Sequence, residues 1–164
     1  VLVNNLGGSL QVDEMSPAED WARVWNLNVG VGHDLNLSVI PHMKALGWGR
    51  IIHVTTASTK TYTGAGPYVT AKKALDGYIK IMGTKLNDSG IVLCGVSPAA
   101  IRLPGRFLAN LERDRPEEFR QWLAANTKAS RLGEPDEVAS VVSFLASDGA
   151  SFMAGSIVPV EGGA

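Results

Sequence analysis

The chain has 164 residues, 45% of them hydrophobic and 19% charged, with a formal net charge of −1. These values fit one globular core and exclude a disordered polyelectrolyte. The near-zero charge gives no electrostatic basis for partnership with nucleic acid or an anionic membrane surface. No apolar run is long enough to cross a bilayer and nothing resembles a signal peptide, so the expectation is a cytoplasmic protein.

Val1-Leu2-Val3-Asn4-Asn5-Leu6-Gly7-Gly8 reads as a short strand running into a glycine turn. Ser16-Pro17-Ala18-Glu19 predicts a helix start, with Ser16 as N-cap, proline in the first turn and Glu19 completing a capping box. The helical pattern runs to about Leu46 and carries Asn28, and Pro41 is expected to kink it or begin a fresh turn. Gly49-Arg50-Ile51-Ile52-His53-Val54-Thr55-Thr56 is an apolar, β-branched run, expected as a buried strand that delivers hydroxyls at its C-terminal end. A second long helix is predicted from Pro67 to Asn87, with Gly90 releasing the chain into a strand from Ile91 to Ser97. Asp114-Arg115-Pro116-Glu117-Glu118 starts another helix, along which Phe119, Trp122 and Leu123 recur at helical spacing as packing residues. Ser156 to Val160 closes the chain as a strand before Gly162-Gly163. Such alternation calls for parallel strands with right-handed crossovers. The expected fold class is α/β, half of a Rossmann-type doubly wound sheet of about four strands, with an edge strand and one face uncovered.

The chemistry centres on Tyr68-Val69-Thr70-Ala71-Lys72. Four residues apart on a helix, Tyr68 and Lys72 share a face. A free phenol has a pKa of ~10, and a neighbouring ammonium favours the phenolate, so the pair is a candidate general acid/base. Taken alone, the same spacing also describes an ordinary solvent-facing Tyr and Lys. Asn28 within a helix is equally a polar residue satisfied by its own backbone. Cys94 lies in an apolar strand and reads as a buried, inert thiol, and His33, His42 and His53 show no ligand spacing for a metal.

Several landmarks then fall in register: Asn4-Asn5-Leu6-Gly7, Asn28, Tyr68-x-x-x-Lys72, Arg131-Leu132-Gly133-Glu134-Pro135-Asp136-Glu137-Val138-Ala139, Phe144-Leu145-Ala146-Ser147-Asp148 and Val160-Glu161-Gly162-Gly163. With these, the whole chain resembles the short-chain dehydrogenase/reductase family, in particular its branch like 3-oxoacyl-carrier-protein reductase. The resemblance implies an oxidoreductase that interconverts a carbonyl and a secondary alcohol with NAD or NADP. Tyr68 would be the acid/base, and Lys72 would lower its pKa and hold the nicotinamide ribose. Asn28 would hold a water linking the lysine to solvent, and Thr56 would stand where the family has serine. Asn5, Gly7, Pro98 and Ile101, with Tyr68 and Lys72, would border the cofactor.

Two departures accompany this likeness: Thr56 replaces serine, with Thr55 and Ser58 close by, and Ala99 replaces a glycine after Pro98. A glycine-rich turn that could cradle a pyrophosphate is not seen. Residues 1–164 are therefore expected to be the C-terminal, catalytic part of a single nucleotide-binding domain. The alternative is a degenerate, non-catalytic assembly module unable to bind cofactor by itself. The family implies a homodimer or homotetramer built on the two long helices, where Ala71, Leu75, Tyr78 and Met82 form one apolar face. Ile79 and Ile81, with Leu35, Leu37, Val39 and Ile40, extend the apolar surface beyond it.

Overall fold

A computed structural model describes every residue from Val1 to Ala164. Its centre is a four-stranded parallel sheet in the order β1 (Leu2–Asn4), β2 (Gly49–Val54), β3 (Ile91–Pro98), β4 (Ile157–Val160). The apolar runs become β2 and β3 because both of their faces are covered. From Ile91 to Ser97 every residue of β3 is buried.

Alternation sorts the two faces. Ile51 and Leu93 point to α2 (Val31–Leu46) and α4 (Gly66–Leu86), where they join Ile40, Met43, Leu75 and Ile79 in one core. Ile52, Val92, Cys94 and Val96 point the other way, onto Leu145 of α7 (Pro135–Leu145). The chain thus steps from strand to strand in one direction while its third connecting helix sits on the opposite face. The β3–β4 crossover is therefore opposite in hand to the first two, contrary to the uniform right-handed crossovers expected from the sequence. Residues 99–134 make this possible. They carry α5 (Phe107–Asp114) and α6 (Pro116–Asn126), pack Leu111, Phe119, Leu123 and Leu132 into a small core of their own, and lead the chain across the strand ends. Trp122 packs partly buried against that core.

The first helical region departs from its prediction twice. α1 (Ala18–Trp25) has Pro17 in the N-cap position and no side-chain cap. The Ser16 hydroxyl is instead committed to Asp13, accepting from its N–H at 3.1 Å and donating to its carboxylate at 3.0 Å. Between α1 and α2 the chain makes a π-helical turn, Asn26–Gly30. The Asn28 amide donates to Val24 O at 2.8 Å, occupying the carbonyl an α-helix would offer to the Asn28 N–H, and the ladder widens there. Pro41 does not end α2; it lies on the exposed side, where the carbonyl it leaves unpaired is open to water.

In α4 the residues Ala71, Lys72, Leu75, Ile79, Gly83 and Leu86 are buried at three- and four-residue spacing. Gly83 permits the closest approach: a Cβ there would sit 2.6 Å from Leu93 O and against the backbone of Gly155. Ile79 belongs wholly to the monomer core, as does Ile40, so neither adds surface; Leu35, Leu37 and Ile81 remain exposed. No helix is long and apolar enough to cross a membrane.

Candidate active site

Because the strands are parallel, their carboxyl ends gather along one edge, and the residues singled out from the sequence collect there. Asn4 ends β1, Thr55 and Thr56 follow β2, Pro98 ends β3, and the first two turns of α4 bring Tyr68 and Lys72 over them. A cleft of about 770 Å³ opens at this edge, lined by Asn5, Thr56, Tyr68, Pro98 and Ile101 among mostly apolar side chains.

Lys72 is 3% exposed. Its ammonium donates to Val54 O at 2.9 Å and Leu6 O at 3.2 Å, tying the end of β2 to the turn after β1. Burial lowers its pKa from 10.5 to about 8, partly opposed by the Asp76 carboxylate one turn further along α4. Gly7 fits beside it with φ +153°, and a Cβ at that position would lie 2.6 Å from Asn28 Oδ1 and 2.8 Å from Lys72 Nζ. Glycine is thus required, and the asparagine and lysine border the same small space. Asn28 is clamped in place. Its Nδ2 donates to Gly8 O at 2.9 Å and its Oδ1 accepts from Gly8 N at 3.1 Å, so the π-turn holds the glycine loop by both backbone polar groups.

Burial raises the Tyr68 phenol above its ordinary 10.0, and a hydrogen bond with Thr56 draws it partly back. The expected lowering by Lys72 is not what governs Tyr68, because the ammonium is spent on two main-chain carbonyls and the phenol is desolvated. The two threonines after β2 diverge. Thr56 faces the cleft and Tyr68, with its Oγ1 3.3 Å from Ser58 Oγ. Thr55 is buried on the α4 side toward Asp76. Pro98 gives its carbonyl to Ala57 N at 2.8 Å. Ile101 is bridged to Gly133 through the bonds of its neighbours, Gly133 N to Ala100 O and Arg102 N to Gly133 O, so its own N–H and C=O are outside that pair.

Sequence reasoning missed a buried polar layer behind the site. His53 Nε2 accepts from Asn36 Nδ2 at 2.9 Å and Asn4 Nδ2 at 3.3 Å. Asn36 also donates to the Tyr78 hydroxyl at 3.0 Å, and that hydroxyl meets His33 Nδ1 at 3.2 Å. Burial, with the Lys72 charge, brings His53 down to about 4, so the ring is neutral at ordinary pH. The alternation of β2, which places His53 and Thr55 on the α4 face with Ile51, was the available signal. Cys94 is buried, and desolvation raises its thiol to about 11, which makes it a poor nucleophile.

Comparison with known proteins identifies the family and the fold. Residues 1–164 match the family described as "Enoyl-(Acyl carrier protein) reductase". The chain is similar to the 3-oxoacyl-[acyl-carrier-protein] reductase FabG of Pseudomonas aeruginosa, 32% identical over 146 residues, which are 88% of this chain and 57% of that protein. Among solved structures it is similar to a 3-oxoacyl-[acyl-carrier protein] reductase with bound NAD from Brucella melitensis, with 28% identity and a TM-score of 0.83 over 98% of this chain and 60% of that one. A 3-oxoacyl (acyl-carrier-protein) reductase from Agrobacterium tumefaciens C58 with NADP bound shares the fold. Its TM-score is 0.90 at 23% identity, covering 99% of this chain and 63% of that one. The chain spans 57% to 65% of the length of the curated relatives it matches first. It belongs to the short-chain dehydrogenase/reductase family.

Proposed function

We propose that this chain carries the proton-handling half of an NAD(P)-dependent oxidoreductase that interconverts a carbonyl and a secondary alcohol, with Tyr68 as acid/base. The observation that carries the reading is the convergence of Tyr68, Lys72, Asn28 and Thr56 at the carboxyl edge of the sheet, with Tyr68 and Thr56 on the wall of one cleft. A reduced nicotinamide dinucleotide, when bound, would supply the hydride for the carbonyl carbon, and Asn5, Pro98 and Ile101 would border its nicotinamide end. The Tyr68 hydroxyl gives its proton to the carbonyl oxygen, and solvent reprotonates the phenolate. Its raised pKa keeps the phenol protonated, which suits it as a donor, and the phenolate formed during the step gains from the hydrogen bond with Thr56.

The nicotinamide end of a dinucleotide fits what is present: the cleft is mainly apolar, and Asn5, Pro98 and Ile101 lie on its wall, with Gly7 set back beside Lys72. No glycine-rich strand-to-helix turn occurs among residues 1–164, so the pyrophosphate is not held by these residues in the usual way. This favours the second reading, an assembly module without cofactor, for the chain by itself. In the complete protein we assign cytoplasmic location and a homodimer or homotetramer, supported by exposed Leu35, Leu37 and Ile81 on the two long helices.

The test is label transfer. The complete protein, a panel of small ketones and reduced dinucleotide deuterated at the transferable position should give an alcohol with deuterium on the carbinol carbon, seen by NMR. Absence of any deuterated alcohol across the panel, with both NADH and NADPH, overturns the reading.

A further inference from the structure

A second cavity, of about 220 Å³, adjoins the cleft. Thr56, Ala99 and Leu108 belong to both walls, so the recess opens directly beside the Tyr68–Thr56 pair. Its own wall is dense in hydroxyls. Ser58, Thr61 and Thr63 project from the segment between β2 and α4, and Asn126 faces them from the end of α6. Trp122 and Leu108 supply the apolar side, Ala164 with its main-chain carboxylate borders the recess, and no charged side chain lines it. Arg106 lies on the neighbouring cleft instead.

The hydroxyls are held in place by the backbone. Tyr62 adopts φ +56°, a left-handed conformation uncommon for a bulky residue, and closes α3 (Ser58–Thr61) so that the hydroxyls of Thr61 and Thr63 meet at 2.9 Å. Each hydroxyl offers one donor and two acceptors, and the Asn126 amide adds both kinds, so the wall can pair with alcohol groups in either sense. An aliphatic chain in the recess would displace water from these groups and offer them no partner beyond the hydrogen bonds they already make within the protein. A carboxylate or phosphate would be desolvated with no side-chain cation facing it. A tryptophan face suits the C–H side of a polyol whose hydroxyls point outward.

We propose that the substrate of this site is a small, uncharged, polyhydroxylated ketone or the corresponding alcohol. Its reacting carbon lies between Tyr68 and Thr56 and its hydroxylated remainder in the recess. This rests on the carbonyl/alcohol reading above and narrows it by substrate class.

The experiment compares three probes on the complete protein: erythrulose, 2-butanone with the same carbon skeleton but a single oxygen, and 2-oxobutanoate as the anionic counterpart. Saturation-transfer NMR reads binding without turnover, and kcat/KM with reduced dinucleotide reads catalysis. Erythrulose should bind, and its kcat/KM should exceed that of 2-butanone by at least ~10-fold, the worth of one or two hydrogen bonds. That ratio should fall by a similar factor in a Ser58→Ala, Thr61→Val double variant, and independently in Trp122→Leu. Binding of erythrulose with no turnover of any probe supports the recess assignment while overturning the oxidoreductase reading. Turnover of 2-butanone or 2-oxobutanoate equal to or better than erythrulose, or a ratio unmoved by both variants, overturns the assignment and leaves the oxidoreductase reading standing.

Discussion

Replacing Lys72 by methionine isolates the cost of one buried ammonium. The side chain is 3% exposed, and burial brings its pKa from 10.5 down to about 8. One pKa step is worth roughly 1.4 kcal/mol, so keeping this charge inside the fold costs on the order of 3 kcal/mol at neutral pH. Below about 8 the folded and unfolded chains both carry the proton, and the full penalty is present. Between about 8 and 10.5 the unfolded chain retains the proton and the folded one releases it, so wild-type stability rises with pH across this window. Above it both forms are neutral and the penalty is gone. Methionine has no such window. Urea unfolding of the two complete proteins at stepped pH, in which all shared groups cancel, should therefore show the wild type gaining about 3 kcal/mol on Lys72→Met from neutral pH to beyond the window. A difference that stays flat would refute the reasoning, because it would mean that Lys72 titrates alike in the folded and unfolded chains.

Substitutions at Thr56 and Gly7 probe the surroundings. Thr56→Ser should retain most turnover and Thr56→Ala should lose much of it, since only the first keeps a hydroxyl for Tyr68; a silent Thr56→Ala beside a damaging Ser58→Ala would move the role to Ser58. Gly7→Ala should lower both stability and turnover, because its Cβ would press on Asn28 Oδ1 and Lys72 Nζ at a backbone angle that disfavours it. Unfolding curves and initial rates matching the wild type would contradict the packing described there.

Much of the fold was legible because its signals are local. The apolar runs of β2 and β3, the glycine at position 90 in a left-handed cap, and the Tyr68–Lys72 spacing each need only a few neighbouring residues to be read. What escaped depends on partners distant in sequence or on competition for one group. The Ser16 hydroxyl had two claimants, the α1 N-terminus and Asp13, and the loop geometry gave it to Asp13. The hand of the third crossover follows from where residues 99–134 travel, which no periodicity records. Ile79 looked like surplus surface because a helical stripe does not say how wide a face the sheet will cover. Tyr68 illustrates the same limit in electrostatics: spacing put a cation nearby, but burial and the carbonyls that hold Lys72 decide the sign of its shift. His53 looked like an isolated strand residue, and only the approach of α2 and α4 turns it into the centre of a polar layer.

The central claim is that Tyr68 donates the proton, and the most direct measurement is the turnover of Tyr68→Phe in the complete protein. The variant removes one hydroxyl and keeps the ring that packs against the core. With urea unfolding verifying an intact fold, kcat should fall by at least ~100-fold, the usual loss when a positioned proton donor is removed. A kcat within a few-fold of wild type, measured with the same substrate and dinucleotide, would contradict the account.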